Sequence, residues 1–79
     1  MDINEAIRQR IEELKIKHNL ATYSLALKAE IPPSTLKQFM NGSIMSIKVG
    51  HLLNICFAFE ISLSDFFDCP YIKNIQRDD

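Results

Sequence analysis

Two adjacent prolines, Pro32 and Pro33, fix the architecture of this chain more tightly than any other feature. Pro32 pushes Ile31 out of the α region, so any helix before it must end there. Pro33 suits the first position of a new helix: its ring presets φ, and its missing N–H would have had no partner there. Shortly afterwards Gly42 supplies a C-terminal stop. The prolines and the glycine therefore bound a short helix. Leu36, Phe39 and Met40 share its inner face with Ile31, while Ser34, Lys37, Gln38 and Asn41 line its outer face at helical spacing.

The flanking sequence reads as further short helices. Asp2 and Glu5 fit a capping box. Ile3, Ile7, Ile11 and Leu14 follow as the apolar face of a first helix. Lys15, Lys17 and His18 suit the negative end of its dipole, and Asn19 can take the left-handed conformation that ends it. A second helix covers residues 22–29, with Thr22 as its cap or Ala21 at the cap site with nothing to offer. Leu25, Ala26 and Ala29 face inward, and the small alanines admit a neighbouring helix. A fourth helix is expected over residues 47–59, capped by Ser46, with Val49, Leu52, Leu53, Ile55, Cys56 and Phe59 as its apolar positions. Gly50 inside it costs about 1 kcal/mol relative to Ala and suggests a close packing contact. A fifth helix, capped by Ser62 or Ser64, runs through Phe66 and Phe67 until Pro70 stops it. The pattern contains no strand, repeat or low-complexity segment, so the fold class is all-α.

Bulk properties narrow the class. At 79 residues the chain is one domain, and a domain of this size buries only about 60% of its unfolded surface. Hydrophobic residues make up 47%, ordinary for a globular protein. No apolar run approaches the ~18 residues of a membrane span, and the charged start is no secretory signal. Neither Cys56, set in an apolar run, nor Cys69, read as a free thiol beside Pro70, belongs to a disulfide or CxxC pattern; cytoplasmic residence is the default expectation. His18 and His51 lack companions at metal-ligand spacing. Ser24, Ser34 and Thr35 lack a paired base for nucleophilic catalysis. No metal, cofactor, small-molecule ligand or enzymatic activity is therefore expected.

Net charge is −1, low for a nucleic-acid binder. The distribution is more telling. Residues 15–48 carry five lysines against Glu30 alone, between acidic flanks. Such an island also arises by chance, and a Ser/Lys/Gln/Asn stripe is usually a solvated helix face.

The assembled pattern over residues 20–67 resembles the helix-turn-helix domain of the phage repressor and Cro family, also called the XRE family. The resemblance rests on Leu25-Ala26 and Ala29 in helix two, Ile31 in the turn, Ser34-Thr35-Leu36 in helix three, and Gly42 after it. It continues through Leu52-Leu53, Ala58 and Ile61-Ser62-Leu63-Ser64-Asp65-Phe66-Phe67. It implies a compact five-helix, lambda repressor-like bundle over residues 1–68, with helices two and three as the helix-turn-helix. Residues 69–79 are left as a C-terminal tail that packs on the core or on a dimer partner.

The resemblance implies a sequence-specific DNA-binding transcriptional regulator, a repressor acting as a homodimer on double-stranded DNA, with helix three in the major groove. Pro33, Ser34, Lys37 and Gln38 would then face bases, and Thr22, Lys28, Asn41, Ser43 and Lys48 would face phosphates. Phe57, Tyr71, Ile72 and Ile75 are candidates for an exposed apolar dimer patch, unless the tail folds back and hides them. Where the family favours Gly, at the turn after helix two and at the end of helix four, this chain has Glu30 and Glu60, so at least one of those turns is expected to take another geometry. Thr22 stands where the family favours Gln, and Pro32 where it favours Ser. These departures leave a second reading open, a protein-interaction module of antitoxin or anti-repressor type on the same scaffold. Salt dependence separates the two, because phosphate contacts weaken steeply with salt and an apolar interface does not.

Overall fold

The computed structural model describes residues 1–75, and among these the chain forms six helices and no strand. They are α1 (Ile3–His18), α2 (Thr22–Lys28), α3 (Pro33–Met40), α4 (Val49–Phe59), α5 (Leu63–Phe67) and α6 (Pro70–Lys73). The architecture is the all-α, lambda repressor-like bundle expected, with one helix more. Pro70 does not simply stop α5; it occupies the first position of α6, with Cys69 as the N-cap residue. A proline can end one helix and start the next, because the N–H it lacks is unneeded at that position. The expected tail is described only to Ile75, and residues 76–79 lie outside the described residues.

Local chemistry sets most boundaries. The Asp2 carboxylate accepts the Glu5 N–H at 2.8 Å, the forward half of the expected box. Ser62 and Asp65 complete both halves at α5. Thr22 is the first helical residue of α2, and Ala21 holds its cap site without a side-chain bond. α4 starts two residues later than expected: Lys48, not Ser46, holds its extended cap position.

Three helices end in one device. Asn19, Glu30 and Glu60 have φ of 55°, 56° and 59°. Behind each, the next residue's N–H reaches back over the last turn: Leu20 to the Lys15 carbonyl at 2.9 Å, Ile31 to Ala26 at 2.9 Å, and Ile61 to Cys56 at 3.0 Å. Each following residue is apolar and packs in or against the core. This is the Schellman termination with its hydrophobic contact. Both glutamates therefore hold the left-handed conformation, contrary to the expectation from sequence. The apolar anchors Ala26–Ile31, buried, and Cys56–Ile61, with Ile61 partly buried against the core, over-determine the turn, and the glutamate adopts a strained conformation worth about 1–2 kcal/mol. Replacing either by Gly should raise stability by about 0.5–1 kcal/mol, the relief being partly offset by a more flexible unfolded chain. The urea midpoint should rise with an unchanged slope.

The core joins Ile7, Ile11 and Leu14 of α1 to Leu25, Ala26, Leu36, Phe39, Leu52, Ile55, Phe59 and Phe66. Cys56 is buried within it, and burial pushes its thiol above the ordinary range. Cys69 is free as expected, but buried. α6 packs on α1, where the Tyr71 hydroxyl donates to the Glu13 carboxylate. Burial first, then that hydrogen bond, raises the Tyr71 phenol above its ordinary value, so it remains a donor at neutral pH. Tyr71, Ile72 and Ile75 are half-buried, whereas Phe57 is exposed. Gly50 makes no close contact: a Cβ placed there would meet nothing within 4 Å.

Candidate nucleic-acid interface

α2 and α3 pack against one another across Ala29–Pro32, with their inner faces closed over Leu25, Ile31 and Leu36. This leaves α3 standing as a ridge between two clefts. One, of about 460 Å³, is bordered by Thr22 and Tyr23 of α2 and by Pro33, Ser34, Lys37 and Asn41 of α3 and its cap. The other, of about 300 Å³, runs along the opposite flank, where Pro32 and Thr35 face Ser46, Lys48 and His51. Gln38 borders neither; on the helical wheel it lies between Ser34 and Thr35, on the crest, and it is exposed.

Five of the nine residues singled out from sequence thus meet in one cleft: Thr22, Pro33, Ser34, Lys37 and Asn41. Gln38 stands above it, and Lys48 borders the second cleft. Ser43 is exposed in the turn after α3, where its N–H donates to Asn41 Oδ1 at 2.9 Å; the Asn41 amide N–H groups and the Ser43 hydroxyl have no partner among the described residues. Lys28 falls elsewhere. It sits at the far end of α2, beside Phe57, Ala58 and Glu60.

Thr22 is held from behind. Lys15, a buried lysine of α1, donates to Thr22 Oγ1 at 2.6 Å and to Glu12 at 3.0 Å. With its oxygen accepting from an ammonium, the Thr22 hydroxyl has its proton to donate outward. That suits an anion better than an unsupported threonine would.

Two arginines of α1 fix the scaffold. Arg8 Nε donates to the Phe39 carbonyl at 2.6 Å, and Nη2 reaches the Ile44 and Met45 carbonyls at 3.1 Å each. Its guanidinium also lies 4.7 Å from the centre of the Phe39 ring. Arg10 does the same for α5, donating to the Phe66 and Asp65 carbonyls at 2.7 and 2.8 Å. Arg10 takes carbonyls at the end of α5, whereas Arg8 takes one at the end of α3 and two in the loop beyond it. Both arginines stand among the charged residues at the start of the chain. No local signal marks them, since the carbonyls they bind lie more than thirty residues away. Tyr23, Thr35, Ser46 and His51 carry no such signal either, because their place in the clefts depends on helix packing.

A polar ridge on the second of two packed helices, flanked by clefts with outward hydroxyl, amide and ammonium groups, defines a helix-turn-helix DNA-binding domain. Residues 10–70 match the model of the Cro/C1-type HTH DNA-binding domain, and the chain belongs to that family. The protein is accordingly a DNA-binding regulator. A search of curated proteins returns no match. Among solved structures, the crystal structure of the prophage Lp1 protein 11 superposes with a TM-score of 0.81, at 24% identity over 94% of this chain and 97% of that one, and shows the same fold. Among the described residues, no helix is long and apolar enough to cross a membrane, and no group of three or more His, Cys, Asp or Glu is placed to hold a metal ion.

Proposed function

We propose that the protein is a sequence-specific transcriptional repressor that inserts α3 into the DNA major groove and acts as a two-fold dimer. The observation that carries this reading is the ridge: eight residues of α3 rise about 12 Å, comparable to the ~12 Å width of the major groove, and Gln38 stands on the crest. Gln38 reads a base, its amide both donating and accepting as adenine N6 and N7 require. Ser34 and Lys37 contact neighbouring base edges, and Pro33 offers an apolar contact. Thr22, Asn41, Ser43 and Lys48 flank the ridge and grip phosphates, which position the protein without specifying sequence. Lys28, at the far end of α2, is outside this frame. A repressor of this kind works by occupancy of its site.

Selection from a random duplex pool tests the proposal. One motif should be enriched, and affinity for it should fall steeply between low and moderate salt as counterions return to the phosphates. Failure to enrich any motif at low salt would overturn it and favour the protein-interaction reading.

A further inference from the structure

We propose that the outward face of α4 is where two copies of this chain meet, crossing antiparallel about a two-fold axis near Leu53. This rests on the two-fold reading above and goes beyond it by naming the surface. Val49, Leu53 and Phe57 repeat at every fourth residue along one face of α4, and are 75%, 37% and 66% exposed. Single exposed apolar side chains are ordinary, but an unbroken line of three along a helix marks an interaction surface. Nothing in the described chain covers it, and residues 76–79, Gln-Arg-Asp-Asp, bring no apolar side chain.

Two features make the occupant a second copy. The first is shape. The stripe has its largest side chain, Phe57, at one end and open space over Gly50 at the other, where an added Cβ would meet nothing within 4 Å. An antiparallel crossing at Leu53 lays each Phe57 ring over the Gly50 of the other copy, and Leu53 against Leu53. The match is isologous, as a two-fold interface requires. It also gives a use to a helical glycine whose room this chain itself leaves empty. The second is charge. α4 has no acidic residue in its first turn, and Glu60 stands at its C-terminal end, the wrong end of its own dipole for an anion. In the crossing, each Glu60 lies beside the N-terminal end of the other α4, where an anion is favoured.

Tyr71, Ile72 and Ile75, expected from sequence as part of a dimer patch, are half-buried, and Tyr71 is bonded to Glu13 of α1; the surface proposed here does not use them. Phe57 alone carries over from that patch.

Sedimentation equilibrium of the full chain over a wide concentration range tests the proposal, with circular dichroism confirming that each variant folds. Wild type should dimerise. Phe57→Ala and Gly50→Leu should each weaken dimerisation at least about tenfold, the first by emptying the contact and the second by filling the space that Phe57 needs. Gly50→Leu should nevertheless leave the monomer as stable or more so, since the site is open and Leu favours helix over Gly. Mixing the two variants should restore a heterodimer. At one end of the crossing the introduced leucine then faces the introduced alanine, and at the other the retained Phe57 faces the retained Gly50. A wild-type monomer at every concentration, variants that dimerise like wild type, or a mixture that stays monomeric would each overturn the α4 face. A monomer that still enriches a DNA motif would overturn this surface while leaving DNA reading intact, and a dimer that enriches none would do the reverse.

Discussion

Replacing Arg8 by Met should cost about 3 kcal/mol of folding stability and weaken DNA binding at the same time. Arg8 donates to three main-chain carbonyls at the end of α3 and in the turn beyond it. Hydrogen bonds from a charged donor are worth about 1.5–3 kcal/mol each in favourable cases. Water can reach part of this site, so the sum is not realised, and the contact with the Phe39 ring adds about 0.5–1 kcal/mol. Met keeps most of the aliphatic stem and removes only the fork. The loss is large against the total, because small domains are stable by only about 5–10 kcal/mol. Denaturant titration reads the stability, and duplex binding at a temperature where the variant is still folded reads the second effect. Arg8→Lys should recover only a small part, since an ammonium cannot span carbonyls on both sides. A variant that loses stability but binds DNA with wild-type affinity while folded would show that the clamp serves the fold alone.

Gln38 and Lys48 should fail in different ways. Gln38→Ala should lose about 1–3 kcal/mol against the preferred duplex at one base position and little against unrelated sequence. Lys48→Ala should lower affinity for all duplexes together and reduce the salt slope by about 1. The structure motivates the split: Gln38 occupies the crest of α3, whereas Lys48 is the cap residue of α4, set across a cleft from that crest. Competition binding with single-position variants of a selected site, repeated at several salt concentrations, checks both. Equal, sequence-independent losses for the two substitutions would remove the distinction between reader and anchor.

What can be read without coordinates follows physical range. The start of α3 is legible because Pro33 acts on its own backbone, and the Asp2 cap because its partner is three residues away. The polar stripe of α3 is legible for the same reason, since helical periodicity is a local property. The left-handed turns at Glu30 and Glu60 are hidden by their residue type. There the tie between Ile31 or Ile61 and the preceding helix outweighs the Cβ penalty. α6 escapes a reading that gives Pro70 one role, because it has two. The two arginine clamps and the division of the candidate residues between two clefts depend on contacts across the whole chain. No window of sequence reports them.

Arg8, Arg10 and Lys15 also have a bearing on the thermodynamics of the encounter with DNA. Their positive groups are already engaged by carbonyls, a carboxylate and a hydroxyl of the same molecule, so α3 arrives fully formed and held at both ends, by prolines before it and by a guanidinium after it. Under the proposed docking, association does not have to order α3, and the conformational cost typical of coupled folding is absent. Calorimetry should accordingly show a heat-capacity change matched to the area of a small rigid interface, without the excess that accompanies a helix forming on its target.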